Sequence, residues 1–339
     1  MRLKLSRRSF CAVSGATLTL GLRAGWHKGA LAGEHSLGGR PFSDPHKLLP
    51  MPAEWRHRPV SRPTDPEIDL ALAVDQQLFP ALRPLILEFA SSHNLRVGLQ
   101  EGTCGIASSA LLDKSADITG MCCPPGSLDR LPGVRYHTIG IAAIALIVHP
   151  DNSLTGVDLA AARRLFGGES QSWSHLPVSG LTRSAGEVRA VTRLHCATRP
   201  GHWRLLLDHA DLFATDLVEM PTVADMIIEV GRNPQAIGYE TLWQVADKAD
   251  RGKVKILRLD GHAPEDADAV ATGRYPLYRV FSVTTWSDAP AADAAARELV
   301  RHLVDNAHRI HSGFGIIPVG RLRTAGWTFL GDEVIAEPG

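Results

Sequence analysis

The chain carries no net charge: 36 Lys and Arg residues offset 36 Asp and Glu residues. That balance removes the basic excess that nucleic-acid and membrane-surface binding usually need. No apolar run approaches the roughly 20 residues required to span a bilayer. The longest, residues 139–148, contains Gly140 and stops at His149-Pro150, so it reads as a buried strand. There is no Gly-x-Ser-x-Gly elbow and no Ser-His-Asp order to suggest a hydrolase. There is no Gly-x-x-x-x-Gly-Lys loop to cradle phosphates. Cys-x-x-Cys spacing is absent, which argues against a zinc ribbon or finger. Aromatic residues make up only 6% of the chain, and no internal repeat is visible.

At 339 residues the chain suits one large domain or two medium ones. Its N-terminus reads Ser6-Arg7-Arg8-Ser9-Phe10, followed by a mild apolar stretch and then Ala30-Leu31-Ala32. This pattern predicts a twin-arginine signal peptide over residues 1–32, cleaved before Gly33. An ordinary secretory leader is the plainer alternative. Twin-arginine export carries folded proteins and implies a periplasmic, oxidising destination, where thiols are paired, metal-bound or buried. Residues 33–66 are punctuated by Pro41, Pro45, Pro50, Pro52, Pro59, Pro63 and Pro66. They read as an extended tether or a surface-hugging arm. His35, His46 and His57 match no metal spacing, and scattered surface histidines are the better reading.

The rest alternates strands and helices. Strands are expected at 68–74, 95–99, around 134–148, 188–192 and 236–239. Helices are expected at 80–92, from the 101–105 loop to about 114, and at 158–166. Further helices are expected from 199 to 212, from 222 to 231, and from 291 to 311. This rhythm argues for parallel sheets covered by helices, with ligands at the carboxyl ends of strands.

Several short segments stand in order along the chain. They are Gly102-Thr103-Cys104-Gly105-Ile106, Asp117-Ile118-Thr119-Gly120-Met121-Cys122-Cys123-Pro124, and Leu165-Phe166-Gly167-Gly168-Glu169 with Trp173. Then follow Thr192-Arg193-Leu194-His195-Cys196-Ala197-Thr198, Ala236-Ile237-Gly238-Tyr239, Tyr275-Pro276-Leu277-Tyr278-Arg279 and Gly315-Ile316-Ile317-Pro318-Val319. Together they resemble the periplasmic phosphate-binding proteins of ABC importers, a type II periplasmic-binding fold. The resemblance covers residues 68–319. It implies an α/β, two-lobed fold with a ligand cleft between lobes. Lobe 1 would hold 67–142 plus 280–339, and lobe 2 would hold 143–279. Crossings are expected near 141–149 and 278–284. It also implies a monomeric, non-enzymatic solute-binding protein that works with an ABC permease.

The departures from the family pattern are chemical. Cys122-Cys123 stands where the resemblance implies Ser-Arg, Cys196 where it implies Ser, and Cys104 where it implies Gly. After the first strand, Asp75-Gln76-Gln77 replaces a small hydroxyl-rich loop. Losing a forked cation and gaining a carboxylate both disfavour a multiply charged oxyanion. Thr103, Thr198 and Arg193 remain as candidate anion contacts.

Thiolate and imidazole suit copper, zinc, iron–sulfur clusters and trivalent arsenic. The expected ligands are therefore Cys104, Cys122, Cys123 and Cys196, with His195 in reserve. The expected occupant is an iron–sulfur cluster, a soft metal ion or a metalloid. Vicinal cysteines are awkward on one small ion and easier on a cluster, or with one thiol left over. Alternatives remain open: buried cysteines acting as small hydrophobes, two disulfides beside an oxyanion site, or an electron-transfer protein with a fixed metal centre. The partner would then be a sensor or redox protein. Met121 and Trp173 read as core residues.

Overall fold

The computed structural model describes residues 41–62, 67–126, 129–175, 186–193, 206–207, 212–288 and 293–339. The expected leader, residues 33–40 of the arm, and the expected 199–212 helix over most of its length lie outside them.

Of the two readings of the arm, residues 41–62 follow the surface-hugging one. Phe42 is buried, and its amide donates to Ile335 O at 2.8 Å. Ser43 Oγ donates to Pro125 O at 2.6 Å. The short helix α1 (Ala53–His57) carries Trp55 inward. The Trp55 indole donates to Leu112 O at 2.6 Å, and its ring lies 5.9 Å from that of Trp286. Lys114 sits 4.5 Å above the Trp55 ring and donates to Arg56 O and Arg58 O at 3.1 and 2.7 Å. Arg62 closes the arm with a two-pronged ion pair to Asp117 at 2.7 and 2.9 Å. His46 and His57 are exposed. Trp55→Ala is expected to destabilise the protein by about 3 kcal/mol, the cost of deleting a buried Trp. Urea denaturation measures this, and an unchanged midpoint would mean the arm is only draped.

Strand β1 (Leu70–Asp75) is buried at all six positions. It lies parallel to β2 (Val97–Gly102) on one side and β3 (Ile118–Met121) on the other. The connecting helix α2 (Phe79–Ser92) buries Leu82, Leu85, Ile86 and Phe89, one helical stripe, against this sheet. Helix α3 (Cys104–Leu112) begins with Thr103 as N-cap, its hydroxyl accepting from Ile106 N.

The expected strands around 134–148 are one continuous strand, β4 (Val134–Val148). It runs antiparallel to the Tyr278–Trp286 strand up to Ala143, which opposes Tyr278. From Ile144, opposite Thr241, it pairs with the antiparallel Ala236–Thr241 strand instead. Beyond that strand lie Arg189–Thr192 and Val218–Glu219, parallel to it in turn. The sheet is therefore mixed, not parallel throughout. Two parallel sets are joined through two long antiparallel strands. Long strands with every residue buried over 139–148 can serve cores on either side, which is why their pattern shows no alternation.

Asp158 and Thr222 cap the Leu159–Phe166 and Val223–Arg232 helices at the expected positions. The expected 291–311 helix is shorter. Its described part ends at Asp305, because Asn306 turns its side chain back to donate to His302 O at 2.9 Å. Two 3₁₀ turns follow, ending at Gly315 with a left-handed φ of 62°. Met121 packs with Trp55, Leu111 and Trp286, and Trp173 is buried in the other core, so both are core residues.

Candidate functional site

The carboxyl ends of β1, β2 and β3 converge, and each delivers a residue there. Asp75 ends β1. Its Oδ1 accepts from Gln77 N at 2.8 Å, turning the chain toward α2. Cys104 is the first residue of α3, just past β2. Cys122 and Cys123 follow β3 directly. All four are 3–4% exposed. The ligand atoms of Asp75, Cys104 and Cys122 lie within 4.8 Å of one another. The Cys104 thiol also hydrogen-bonds with both Cys122 and Cys123. Cys104, Cys122 and Cys123 are thiols, none of them in a disulfide. The arm holds this loop in place through Ser43 and Pro125.

Two guanidinium groups are joined to this place, Arg279 directly and Arg193 through Glu240. Arg279, on the Tyr278–Trp286 strand, is 4% exposed and donates from Nη1 to Cys122 Sγ at 3.3 Å. Its Nη2 faces Glu240 Oε1 at 3.4 Å. Arg193 Nη1 meets Glu240 Oε2 at 2.6 Å. Gln77 ties the two parallel sets together: its side chain donates to Glu240 Oε1 at 3.4 Å and accepts from Thr241 Oγ1 at 3.0 Å. Trp243 on one side and Phe314 on the other meet edge to face, 5.5 Å apart.

Burial and the neighbouring Cys104 push the Asp75 carboxyl up to about 6. Hydrogen bonding from Cys104 and Cys123, together with burial, pushes the Cys122 thiol well above its ordinary range. Hydrogen bonding from Cys104, then burial, does the same for Cys123. Both thiols are therefore neutral at pH 7. Burial pushes Glu240 up, but Arg279 and Arg193 outweigh it and hold the carboxyl below its ordinary value. Burial alone would lower Arg279, yet Cys122, Glu240 and Asp75 together raise it.

Hydrogen-bond donors are left over. Arg193 Nε, Arg279 Nε, Thr192 Oγ1 and Ser282 Oγ are buried with no hydrogen-bond partner among the described residues. Thr192 ends one strand and Arg193 follows it, and Ser282 opposes Met121, next to Cys122. Buried donors without acceptors are costly, so a group bearing lone pairs is the natural complement.

Of the residues expected from sequence, Asp75, Cys104, Cys122 and Cys123 come together, and Arg193 reaches them through Glu240 and Arg279. Thr103 is exposed and serves as a helix cap. His195, Cys196 and Thr198 lie outside the described residues. Arg279, Glu240 and Ser282 were not expected as site residues. For Arg279 and Glu240 the sequence signal is a charge inside an otherwise apolar strand; Ser282 leaves none. Arg279 also corrects the inference that the cleft lost its forked cation at Cys122-Cys123: a different strand supplies one.

Arg279→Ala is expected to destabilise the protein by about 3–5 kcal/mol, because it strips a buried carboxylate of one of its two cations. Adding Glu240→Gln should recover part of that loss in chemical denaturation. Equal stability of single and double variants would exclude the coupling.

A family model described as a PBP superfamily domain matches residues 60–304. No curated protein matches the sequence. The fold is similar to that of an ABC-type phosphate transport receptor from Vibrio cholerae: TM-score 0.59, 18% identity, covering 74% of this chain and 99% of that one. A Clostridium perfringens protein assigned as a phosphate ABC-transporter substrate-binding protein, solved with phosphate bound, gives 0.61 at 15% identity over 74% and 99%. PstS from Borrelia burgdorferi gives 0.52 at 16% identity over 74% and 98%.

Proposed function

The chain belongs to the PBP superfamily, and on that premise we propose that it is a periplasmic solute-binding protein whose cleft captures a thiophilic ligand. One observation carries this reading: Asp75, Cys104 and Cys122 place their ligand atoms within 4.8 Å of one another, fully buried, at the carboxyl ends of adjacent strands. Thiols pooled with one carboxylate suit a soft centre and offer little to a phosphate. Cys123 lies in hydrogen-bonding contact with this group and serves as a further soft ligand. Arg279 offsets the negative charge that develops on sulfur when a ligand binds.

The protein acts by binding, without catalysis. It is exported by the twin-arginine route and hands its ligand to an ABC permease, a sensor or a redox protein. Among the described residues no helix is long and apolar enough to cross a membrane.

A second reading keeps a phosphate-like oxyanion in the cleft. The leftover donors of Arg193, Arg279, Thr192 and Ser282 favour it. Anaerobic titration with zinc, copper(I), arsenite and inorganic phosphate separates the two. Saturable binding of a soft species, lost in a Cys104→Ser Cys122→Ser variant, supports the thiol site. Phosphate binding unaffected by those changes would replace it with the oxyanion site.

A further inference from the structure

The cleft combines two chemistries that a bare metal cation does not need together. Sulfur is present to bond a soft atom. Beside it stands the buried Arg279 guanidinium, with Ser282 opposite Met121 and Arg193 joined through Glu240, and among the described residues Arg279 Nε, Arg193 Nε and Ser282 Oγ have no partner. Arg279 touches Cys122 Sγ itself, at 3.3 Å, so oxygen recognition and sulfur bonding act on one ligand. The Arg193 and Arg279 charges are offset by Glu240 and Asp75, so the set as a whole does not select for a free dication. Phosphate would use the guanidiniums but forms no bond to thiols, and Asp75 and Glu240 would repel it. A neutral hydroxylated species with a thiophilic central atom uses every group present.

On the reading above, that the cleft is a thiol site, we infer that its ligand is a hydroxylated trivalent metalloid of the arsenous-acid type. The central atom bonds Cys104 and Cys122, and one retained oxygen sits between Asp75 and Arg279. The step is a condensation with no redox change: As(OH)3 plus two RSH gives (RS)2As–OH plus two H2O. Each S–H proton leaves with a displaced hydroxide as water. Asp75 and Arg279 bond the hydroxyl that remains, and Arg279 also contacts the sulfur whose bond has formed. Capture therefore releases no net protons, whereas a metal cation taken by neutral thiols releases one proton per thiolate formed.

The test is calorimetric titration of the whole anaerobic protein with arsenite at pH 7, repeated in buffers of different ionisation enthalpy. Zinc, copper(I) and inorganic phosphate are titrated alongside. Arsenite binding with no net proton release is expected. Cys122→Ser should weaken it by roughly a hundredfold or more. Arg279→Lys keeps a cation for Glu240 but removes the fork, and should weaken arsenite roughly tenfold, the worth of a hydrogen bond to a charged group, and zinc by clearly less. If zinc or copper(I) binds with proton release and arsenite does not bind, the metalloid inference is overturned and the thiol site stands. If only phosphate binds, both fall. Equal weakening of arsenite and zinc by Arg279→Lys would remove the oxygen-recognition role.

Discussion

Cys122→Ser is expected to weaken binding of the soft ligand by roughly a hundredfold or more, since even removing a group behind a metal ligand costs 10–100-fold. Cys122 is the residue on which the cluster turns. It shares a ligand group with Asp75 and Cys104, hydrogen-bonds with Cys104, and receives Arg279 at 3.3 Å. The serine fills nearly the same space, so the fold should survive and the loss should read as chemistry. Cys104 and Cys122 also pack among Leu72, Val74, Leu78 and Leu82. If these thiols were merely small hydrophobes, Cys122→Ser would lower stability by about 1–3 kcal/mol, the cost of a buried hydroxyl without a partner, and leave binding intact. Measuring affinity and denaturation midpoint on the same sample decides between the two.

Asp75→Asn should have opposite effects on stability and binding. The carboxyl titrates at about 6 in the fold, against an ordinary 3.8. A raised value means the folded state prefers the protonated form. The contribution to stability is complete below pH 4 and is lost as pH rises through about 6. Above that, ionised Asp75 costs the empty protein about 3 kcal/mol, at 1.36 kcal/mol for each pKa unit. Asparagine removes this cost and can still accept the Gln77 amide. The variant should melt about 6 °C higher at pH 8, at roughly 2 °C per kcal/mol for a chain of this size. It should melt level with the parent near pH 4 and bind the soft ligand more weakly. A variant that melts lower at pH 8 would mean that Asp75 ionised is a structural asset. This would be a stability cost placed at the proposed binding site, a pattern expected where function requires charge in an apolar setting.

That Asp75, Cys104, Cys122 and Cys123 come together could be read from the chain, because these residues sit at fixed places relative to motifs. Cys104 opens a helix after a strand, and Cys122 and Cys123 follow the next one, so the parallel β1–β3 set brings them together whatever the rest of the fold does. Asp75 was legible for the same reason. Arg279 and Glu240 were not, because each lies within a strand that reads as apolar core, and their pairing spans two strands 39 residues apart in sequence. A lone charge in a buried strand requires a partner; finding one in each of two strands was the available signal.

The arm illustrates a different limit. Proline and charge set its extended character, but its buried apolar anchors, Phe42 and Trp55, are too sparse to show a period, and the rest of the docking is polar, as in the Arg62–Asp117 pair. The 291–311 helix was overextended because Ala and Leu spacing continues past Asn306, whose side chain ends the helix by a local hydrogen bond. Parallel strands were expected throughout because periodicity reveals burial and not direction; the antiparallel crossing of β4 and the Tyr278–Trp286 strand leaves no mark in composition.

The central claim is that the buried thiols are where the ligand sits. Anomalous diffraction from crystals of the whole protein grown with arsenite, collected at the arsenic edge, tests it most directly. One strong peak bonded to Cys104 and Cys122 beside Arg279 is the result this account predicts. An empty thiol cluster, with the anomalous signal only at surface histidines, or with phosphate density on the Arg193 and Arg279 guanidiniums instead, would contradict it.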